Sequence, residues 1–523
     1  MNSTNFYIDL HGCAKNQTDA EIIVSFLEKA GFSYVQNPEN AAFILINSCG
    51  FIQSAKKESI DAIYDLRAAY PKAKIILTGC LAERYSQALY EQMPELDGVF
   101  GNGNLAEIAG FMKKYSQDSQ KMLDSQGALD SLDSQGAQNQ SRFAQTFPQQ
   151  GICAAERKVL FNFPGSAYVK ITEGCSNHCS FCAIPLIRGE LRSRAVDAIV
   201  EEIKALITAG VYEINLIGQD IAAYGTGLEE EDKKLRSAAE KAGLSPIAYL
   251  ISKIAEIKGD FIVRPLYIHP DHFKQDILSE MKKNFRFVPY FDIPFQSGDD
   301  TIIRKMNRTG SAAKYEELIK QIRDFYPQAV LRTTFLTGFP GETDQAAENT
   351  VKFLKNIAPD WSGCFPYSKE EDTPAYSMKP DVPARVAKKR ADGIEKVQSE
   401  ITSQKLTKYV GQTLLVLIEE IIEMEPVKTS VKNAADEADN SDERGRATEE
   451  CDEGLAIGRA WFQAPEVDGC VVVRYERTFG DESAYIKPGN LVEVKVLAVT
   501  GVDLDARFLS LKKAAKSSLN YII

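Results

Sequence analysis

Three cysteines in one short loop, Cys175, Cys179 and Cys182, constrain what this chain can fold into more than any other feature. They stand in the run Gly174-Cys175-Ser176-Asn177-His178-Cys179-Ser180-Phe181-Cys182, a C-x3-C-x2-C spacing. Three thiolates this close can grip three corners of a [4Fe–4S] cube and leave the fourth iron open to a small molecule. Structural zinc usually takes two C-x2-C hooks and a fourth nearby ligand, and none follows here. An electron carrier normally fills all four cluster positions with cysteine. The loop therefore reads as a catalytic iron–sulfur site. An iron–sulfur scaffold or electron carrier is the alternative of a different class.

A second set of cysteines is spread along the first eighty residues, each at the end of a short apolar run. Cys13 follows Asn5-Phe6-Tyr7-Ile8-Asp9-Leu10, Cys49 follows Phe43-Ile44-Leu45-Ile46-Asn47-Ser48, and Cys80 follows Lys74-Ile75-Ile76-Leu77-Thr78. Such runs read as buried strands. Helical patterns over Gln17–Ala30 and Gln53–Ala69 separate them. Strand–helix alternation implies a parallel sheet, whose ligand crevice lies at the carboxyl ends of the strands. Three cysteines at three strand ends should converge there as a second metal cluster. Three unrelated buried thiols are the plainer alternative.

At 523 residues, with 44% hydrophobic and 26% charged residues, the chain has the composition of a soluble protein of about three domains. The N-terminus shows no secretory pattern and no apolar stretch is long enough to span a membrane. Ten cysteines in this length are not a disulfide scaffold. A reducing cytoplasm is expected, with Cys153, Cys364, Cys451 and Cys470 as ordinary thiols. The four histidines read as too scattered for a histidine metal site. A net charge of −12 argues against strong free binding to nucleic acid and suits a basic partner.

Residues 1–114 form the first expected domain. A polar linker, 115–157, follows; Tyr115–Gln150 repeats Leu-Asp-Ser-Gln-Gly-Ala at Leu123 and Leu132 and lacks the apolar content to fold. Residues 158–409 alternate strand and helix again, with strands at Ala167–Thr172, Glu213–Ile217, Phe261–Tyr267, Val288–Phe291, Val330–Leu336 and Cys364–Tyr367. This predicts a partial parallel (β/α) barrel, with the cysteine loop after its first strand, where barrel active sites lie. A long polar helix, Asp381–Tyr409, closes it. Residues 410–523 carry short strands without helices, at Thr413–Ile418, Leu455–Ala460, Gly469–Val473 and Leu491–Val499, and predict a small antiparallel β-barrel. An acidic insertion, 423–453, interrupts it and holds most of its negative excess.

The cysteine loop resembles the signature of radical S-adenosylmethionine enzymes. With the strand-end triplet before it and the β-barrel behind it, the chain resembles the methylthiotransferases of that superfamily, which end in a TRAM domain. Gly12-Cys13-Ala14-Lys15-Asn16, Asn47-Ser48-Cys49-Gly50-Phe51-Ile52, Arg188-Gly189-Glu190-Leu191, Gln219-Asp220-Ile221 and Gly458-Arg459-Ala460 are similar to the branch that modifies a ribosomal protein rather than transfer RNA.

The resemblance implies an enzyme that adds a methylthio group to the β-carbon of an aspartate of small-subunit ribosomal protein S-twelve. S-adenosylmethionine would serve as radical source and methyl donor. It implies two [4Fe–4S] clusters, the radical one on Cys175, Cys179 and Cys182 and a sulfur-donating one on Cys13, Cys49 and Cys80, and a reductant protein as electron source. Within the same fold, a transfer-RNA adenosine methylthiotransferase is the alternative. Gly218, Gln219, Gln296, Ser297 and Gly338, at strand ends, and Arg332, inside a strand, are expected to hold the cofactor, with Arg332 pairing its carboxylate. Trp461, Phe462 and Pro465 are expected as an apolar anchor for the partner.

Overall fold

The computed structural model describes residues 4–114, 143–149, 151–422, 452–477, 486–513 and 520–521. The chain divides into two compact units, Met1–Ile401 with Ser517–Ile523, and Thr402–Lys516. Among the described residues, no helix is long and apolar enough to cross a membrane.

The first unit opens with β1 (Asn5–Leu10), α1 (Ala14–Lys29), β2 (Ser33–Tyr34), β3 (Phe43–Ser48), α2 (Gln53–Ala69), β4 (Lys74–Thr78), α3 (Gly79–Gln92), β5 (Gly98–Phe100) and β6 (Phe143–Gln145). They make a six-stranded sheet in the order β2-β1-β3-β4-β5-β6, parallel throughout. β3 is buried along its whole length. That is why its sequence is a continuous apolar run rather than an alternating one. β1 and β4 flank β3, so the three strands that lead to Cys13, Cys49 and Cys80 are adjacent.

Two expectations for the linker are corrected at its end. Phe143–Gln145 is an edge strand, paired with β5 from Gly98 to Phe100. Arg157 is buried and bridges Glu21 of α1 and Glu202. Both belong to the folded unit because the sheet edge and the two carboxylates supply the bonds that a polar segment cannot make alone. The tandem repeat at Leu123 and Leu132 lies outside the described residues.

The barrel begins after β7 (Val159–Leu160) with β8 (Ser166–Lys170). β9 (Thr172–Glu173) and β10 (Arg192–Ser193) then pair antiparallel and close the cysteine loop between them. β11 (Glu213–Ile217) and β12 (Ile262–Pro265) add to β8, while β13 (Tyr290–Asp292), β14 (Val330–Thr337) and β15 (Trp361–Pro366) form a second parallel trio. Val263 N donates to Arg286 O at 2.8 Å and Ile268 N to Asp292 O at 2.9 Å, joining the trios into one partial barrel. Its core gathers Val169, Leu216, Val263, Phe291 and Phe335 from the strands, and Ile203, Ile251, Ile319 and Leu354 from the surrounding helices. β12 is shorter than the apolar run because Tyr267 leaves it at φ 65°.

The second unit is a closed barrel of β16 (Thr413–Ile422), β17 (Asp452–Arg459), β18 (Val471–Arg477), β19 (Leu491–Thr500) and β20 (Asp503–Lys513), in the order β16-β17-β18-β20-β19. All neighbours are antiparallel except β18 and β20, which run parallel. Asp452 and Glu453, expected inside the acidic insertion, start β17. Residues 423–451 lie outside the described residues. Phe462 is not a surface anchor. It is buried and stacks on Tyr409 with ring centroids 4.0 Å apart and planes 6° from parallel.

Candidate active site

The barrel thiols stand on a loop fixed at both ends and in its middle. Gly174 enters it at φ 76°, and a Cβ there would lie 2.2 Å from Glu190 O, so only glycine lets the chain turn under β10. Cys175 N donates to Gly189 O at 3.0 Å and Cys182 N to Cys179 O at 2.9 Å. Asn177 Nδ2 donates to Asp220 Oδ2 at 3.0 Å, and Ser180 Oγ to Lys305 O at 2.7 Å. None of the three thiols is in a disulfide. Burial pushes the Cys175 thiol up to about 12 and also raises that of Cys182. The neighbouring Cys179 adds to both rises. Backbone N–H groups of Asn177 and Ile184 point at the sulfurs of Cys175 and Cys182. Three neighbouring sulfurs, two of them on buried cysteines, with N–H donors fit an iron–sulfur cluster, whose metal displaces the thiol protons. Among the described residues, no fourth cysteine joins them.

Cys13, Cys49 and Cys80 converge as the sheet order requires. Cys13 is the N-cap of α1, and Cys80 sits in the first turn of α3. Helix N-termini favour negative charge, thiolate included. Gly79 makes the approach possible at φ 88°, where a Cβ would lie 2.5 Å from Ser48 O. Cys80 is buried, and burial pushes its thiol up to about 12 against the pull of Arg188. Burial also raises Cys49, and Cys13 adds to the shifts of both. This donor set also fits a cluster held by three sulfurs.

The two sets are neighbours. Cys80 packs against Ala183 and Ile187, in the turn and helix (Ile184–Arg188) that follow Cys182. Arg188 Nη2 lies 3.2 Å from Cys80 Sγ and 2.7 Å from Asn16 Oδ1, while Nη1 pairs Glu173 at 2.8 Å and Asp19 at 2.9 Å. Lys170 pairs the same two carboxylates, each at 2.5 Å. Burial pushes the Glu173 carboxyl up, but Lys170 and Arg188 outweigh it and hold the group well below the usual carboxylate range. Lys15, also buried, lays its ammonium 2.9 Å from the centroid of the Tyr267 ring. Burial lowers its pKa to about 8. Sequence reasoning read Lys15 and Arg188 only as parts of family-like motifs. Their positions, next to Cys13 and just past Cys182, were the available signal.

The expected cofactor contacts divide. Gln219 donates Nε2 to Glu173 at 3.1 Å, and its buried Oε1 has no partner among the described residues. Gln296 holds φ 71° at the end of β13's extension, a strained position typical of functional sites. Gly218 packs on Thr172, whose Oγ1 would lie 2.0 Å from an added Cβ. Arg332 pairs with Asp292 at 3.1 Å, a structural acid in the next strand. Ser297 Oγ accepts from Asp299 N and meets Thr350 Oγ1 at 3.3 Å. Gly338 N donates to Glu342 at 2.7 Å, and its Cα faces Ala387. Those last two serve the packing of neighbouring helices.

Two histidines gather after all. Asp220, His269 and His272 bring one ligand atom each within 4.8 Å of one another beside the cysteine loop. Asp220 already accepts from Asn177, His272, Ala222 N and His269 N. Its carboxylate is thereby committed to fixing the loop. His269 Nδ1 accepts from Asp271 N at 3.3 Å, which leaves Nε2–H facing Cys179 Sγ at 3.9 Å.

Residues 169–354 match the Radical SAM superfamily, the class that a partial parallel barrel with a three-cysteine loop after its first strand defines. Residues 5–101 match the family described as Uncharacterized protein family UPF0004, and residues 447–509 the TRAM domain. The ribosomal protein uS12 methylthiotransferase RimO of Treponema denticola is 46% identical over 509 residues, covering 95% of this chain and 99% of that protein. The enzyme of the same name from Thermosipho melanesiensis is 34% identical, covering 90% of this chain and 94% of that protein. A solved radical S-adenosylmethionine methyltransferase, TsrM from Kitasatospora setae, overlays with a TM-score of 0.45 at 12% identity, over 69% of this chain and 72% of that one. The chain belongs to the RimO family of radical S-adenosylmethionine methylthiotransferases. Membership implies one [4Fe–4S] cluster and S-adenosylmethionine as cofactors.

Proposed function

We propose that this enzyme adds a methylthio group to the β-carbon of an aspartate of ribosomal protein uS12, in the cytoplasm. The observation that carries the reading is the contact of Cys80 with Ala183, Ile187 and Arg188, in the segment that directly follows Cys182. An unactivated β-carbon offers no acidic proton to a protein base, so its hydrogen must leave as an atom and sulfur must be at hand.

Cys175, Cys179 and Cys182 would hold a [4Fe–4S] cluster, and Cys13, Cys49 and Cys80 a second. Bound there with S-adenosylmethionine, these groups supply one-electron cleavage chemistry, a methyl group and sulfur. The chain's own residues supply the setting. Gly174 and Asn177 fix the cysteine loop, and Arg188 holds Cys80 beside it. Asp19, Glu173 and Lys170, all buried, balance charge around Arg188. Gln219 and Gln296, at two barrel strand ends, remain as cofactor contacts. A separate protein would deliver the electrons.

Mass spectrometry of ribosomal proteins and transfer RNA from cells with and without the gene tests this. Ribosomal protein uS12 should carry a methylthio group only when the gene is present. A methylthioadenosine in transfer RNA that vanishes with the gene would instead make RNA the target.

A further inference from the structure

Lys15 is a buried cation with no direct carboxylate partner; Cys13, Asp292 and Glu173 act on it only through space. It is 8% exposed, and its ammonium meets the face of Tyr267 at 2.9 Å from the ring centroid. Among the described residues, no hydrogen bond or ion pair reaches it. The carboxylates nearby are all committed. Asp19 and Glu173 serve Lys170 and Arg188. Asp292 serves Arg332 and the Tyr267 N–H, at 3.1 and 3.2 Å. Arg188, not Lys15, is the cation bonded to Cys80. Lys15 is the charge left over.

Its aromatic neighbour is placed for it. Tyr267 adopts φ 65°, a conformation that is strained for a bulky residue and persists only when its surroundings impose it. Asp292 fixes its N–H, and Ile221 N donates to its carbonyl at 3.1 Å. A ring face attracts an ammonium without neutralising it. The charge therefore stays available to a ligand, where a carboxylate partner would have spent it. The location is beside the N-terminal triad: Lys15 is two residues from Cys13, and Tyr267 follows β12, its N–H on Asp292.

We propose that Lys15 recognises the side-chain carboxylate of the residue being modified and so restricts the enzyme to acidic targets. This rests on the functional reading above and gives it a physical basis, because an uncharged base or amide at this position would leave a buried cation unpaired. Sites built to pair a polar group reject analogues that lack it far more strongly than apolar pockets reject a shape.

The test uses the reconstituted full chain and recombinant ribosomal protein uS12 carrying either the target aspartate or asparagine in its place. Dissociation constants and kcat/KM are measured for wild type, Lys15→Met and Lys15→Arg. Wild type should prefer the aspartate form by at least about tenfold, Lys15→Met should bind both forms alike, and Lys15→Arg should keep part of the preference. Iron per chain and the dissociation constant of S-adenosylmethionine should not change in Lys15→Met. Three results each overturn the proposal: Lys15→Met still discriminates, it loses iron, or it loses affinity for S-adenosylmethionine. The last would make the cofactor's carboxylate the partner. A wild-type enzyme that leaves this ribosomal protein unmodified overturns the functional reading itself, and the aspartate preference with it.

Discussion

Arg188, in the helix that leaves the barrel's cysteine loop, donates Nη2–H to the sulfur of Cys80, 3.2 Å away in the N-terminal domain. One guanidinium thus ties the two thiol sets while Nη1 serves Glu173 and Asp19. Its planar fork suits this; a lysine head is a point charge without the second arm.

Replacing Arg188 with Met should therefore do two things. It leaves two buried carboxylates with Lys170 alone, and breaking such a pair costs about 3–5 kcal/mol. It also removes the donor to Cys80. Urea denaturation should show the stability loss, and iron analysis should show about four irons per chain rather than about eight. A variant with full iron and wild-type stability would falsify the role given to this contact.

The triads should separate by function. Alanine at Cys175, Cys179 and Cys182 should abolish S-adenosylmethionine cleavage and remove about half of the iron. Alanine at Cys13, Cys49 and Cys80 should leave 5′-deoxyadenosine formation measurable by chromatography but stop methylthiolation. Methylthiolated product from the second variant would remove the N-terminal thiols from the sulfur chemistry.

Both triads were legible in the sequence because each rests on a local pattern. Cys49 follows six consecutive buried residues, and Cys175, Cys179 and Cys182 share one loop. What was not legible lies in contacts between distant segments. Nothing near Lys15 announces Tyr267, and nothing near Arg188 announces Cys80. His269 and His272 looked scattered because their partner, Asp220, comes from another strand end. β20 was missed because its alternation is broken by outward-facing charge, with Leu504 and Ala506 its buried residues. Ser297 and Gly338 stood in motifs at strand ends, but direction decides use, and both face helices. Phe143–Gln145 has its bonds from the sheet edge rather than from its own composition.

His272 gives a pH signature. Its Nδ1–H bonds Asp220 at 2.7 Å, which raises the imidazole above its ordinary value despite opposing burial; Asp271 adds to the rise and Lys274 opposes it. A group whose folded pKa is raised stabilises fully below its unfolded pKa, about 6.5 for histidine, and loses that contribution as pH rises through the folded value. His272→Phe should therefore lower the melting temperature most at pH 6 and progressively less above neutrality. Parallel melting curves across the whole range would show that the pair adds no such stability.

Glu370 should prove the clamp that carries the N-terminal thiols. It accepts from Lys56 Nζ at 2.6 Å and also pairs Arg84, in a site where all three side chains are nearly dry. Lys56 belongs to α2 and Arg84 to α3, the helices that begin just after Cys49 and around Cys80. Glu370 itself lies beyond β15, so this one carboxylate fixes both helices to the barrel domain. Burial raises its pKa, but the bonds from Lys56, Ser368 and Arg84 outweigh that and leave it lowered. Its stabilisation is then present above the unfolded value of about 4.3 and is lost as pH falls through the folded one. Glu370→Gln keeps the shape and leaves two buried cations without an anion, at a cost of about 3 kcal/mol or more at pH 7. Urea denaturation at pH 7 should show this loss, and the difference from wild type should shrink at pH 4. Iron held by Cys13, Cys49 and Cys80 should exchange faster in the variant, because the helices that present two of those thiols are no longer pinned. Equal stability at pH 7 would mean that Lys56 and Arg84 find other partners when the carboxylate is gone.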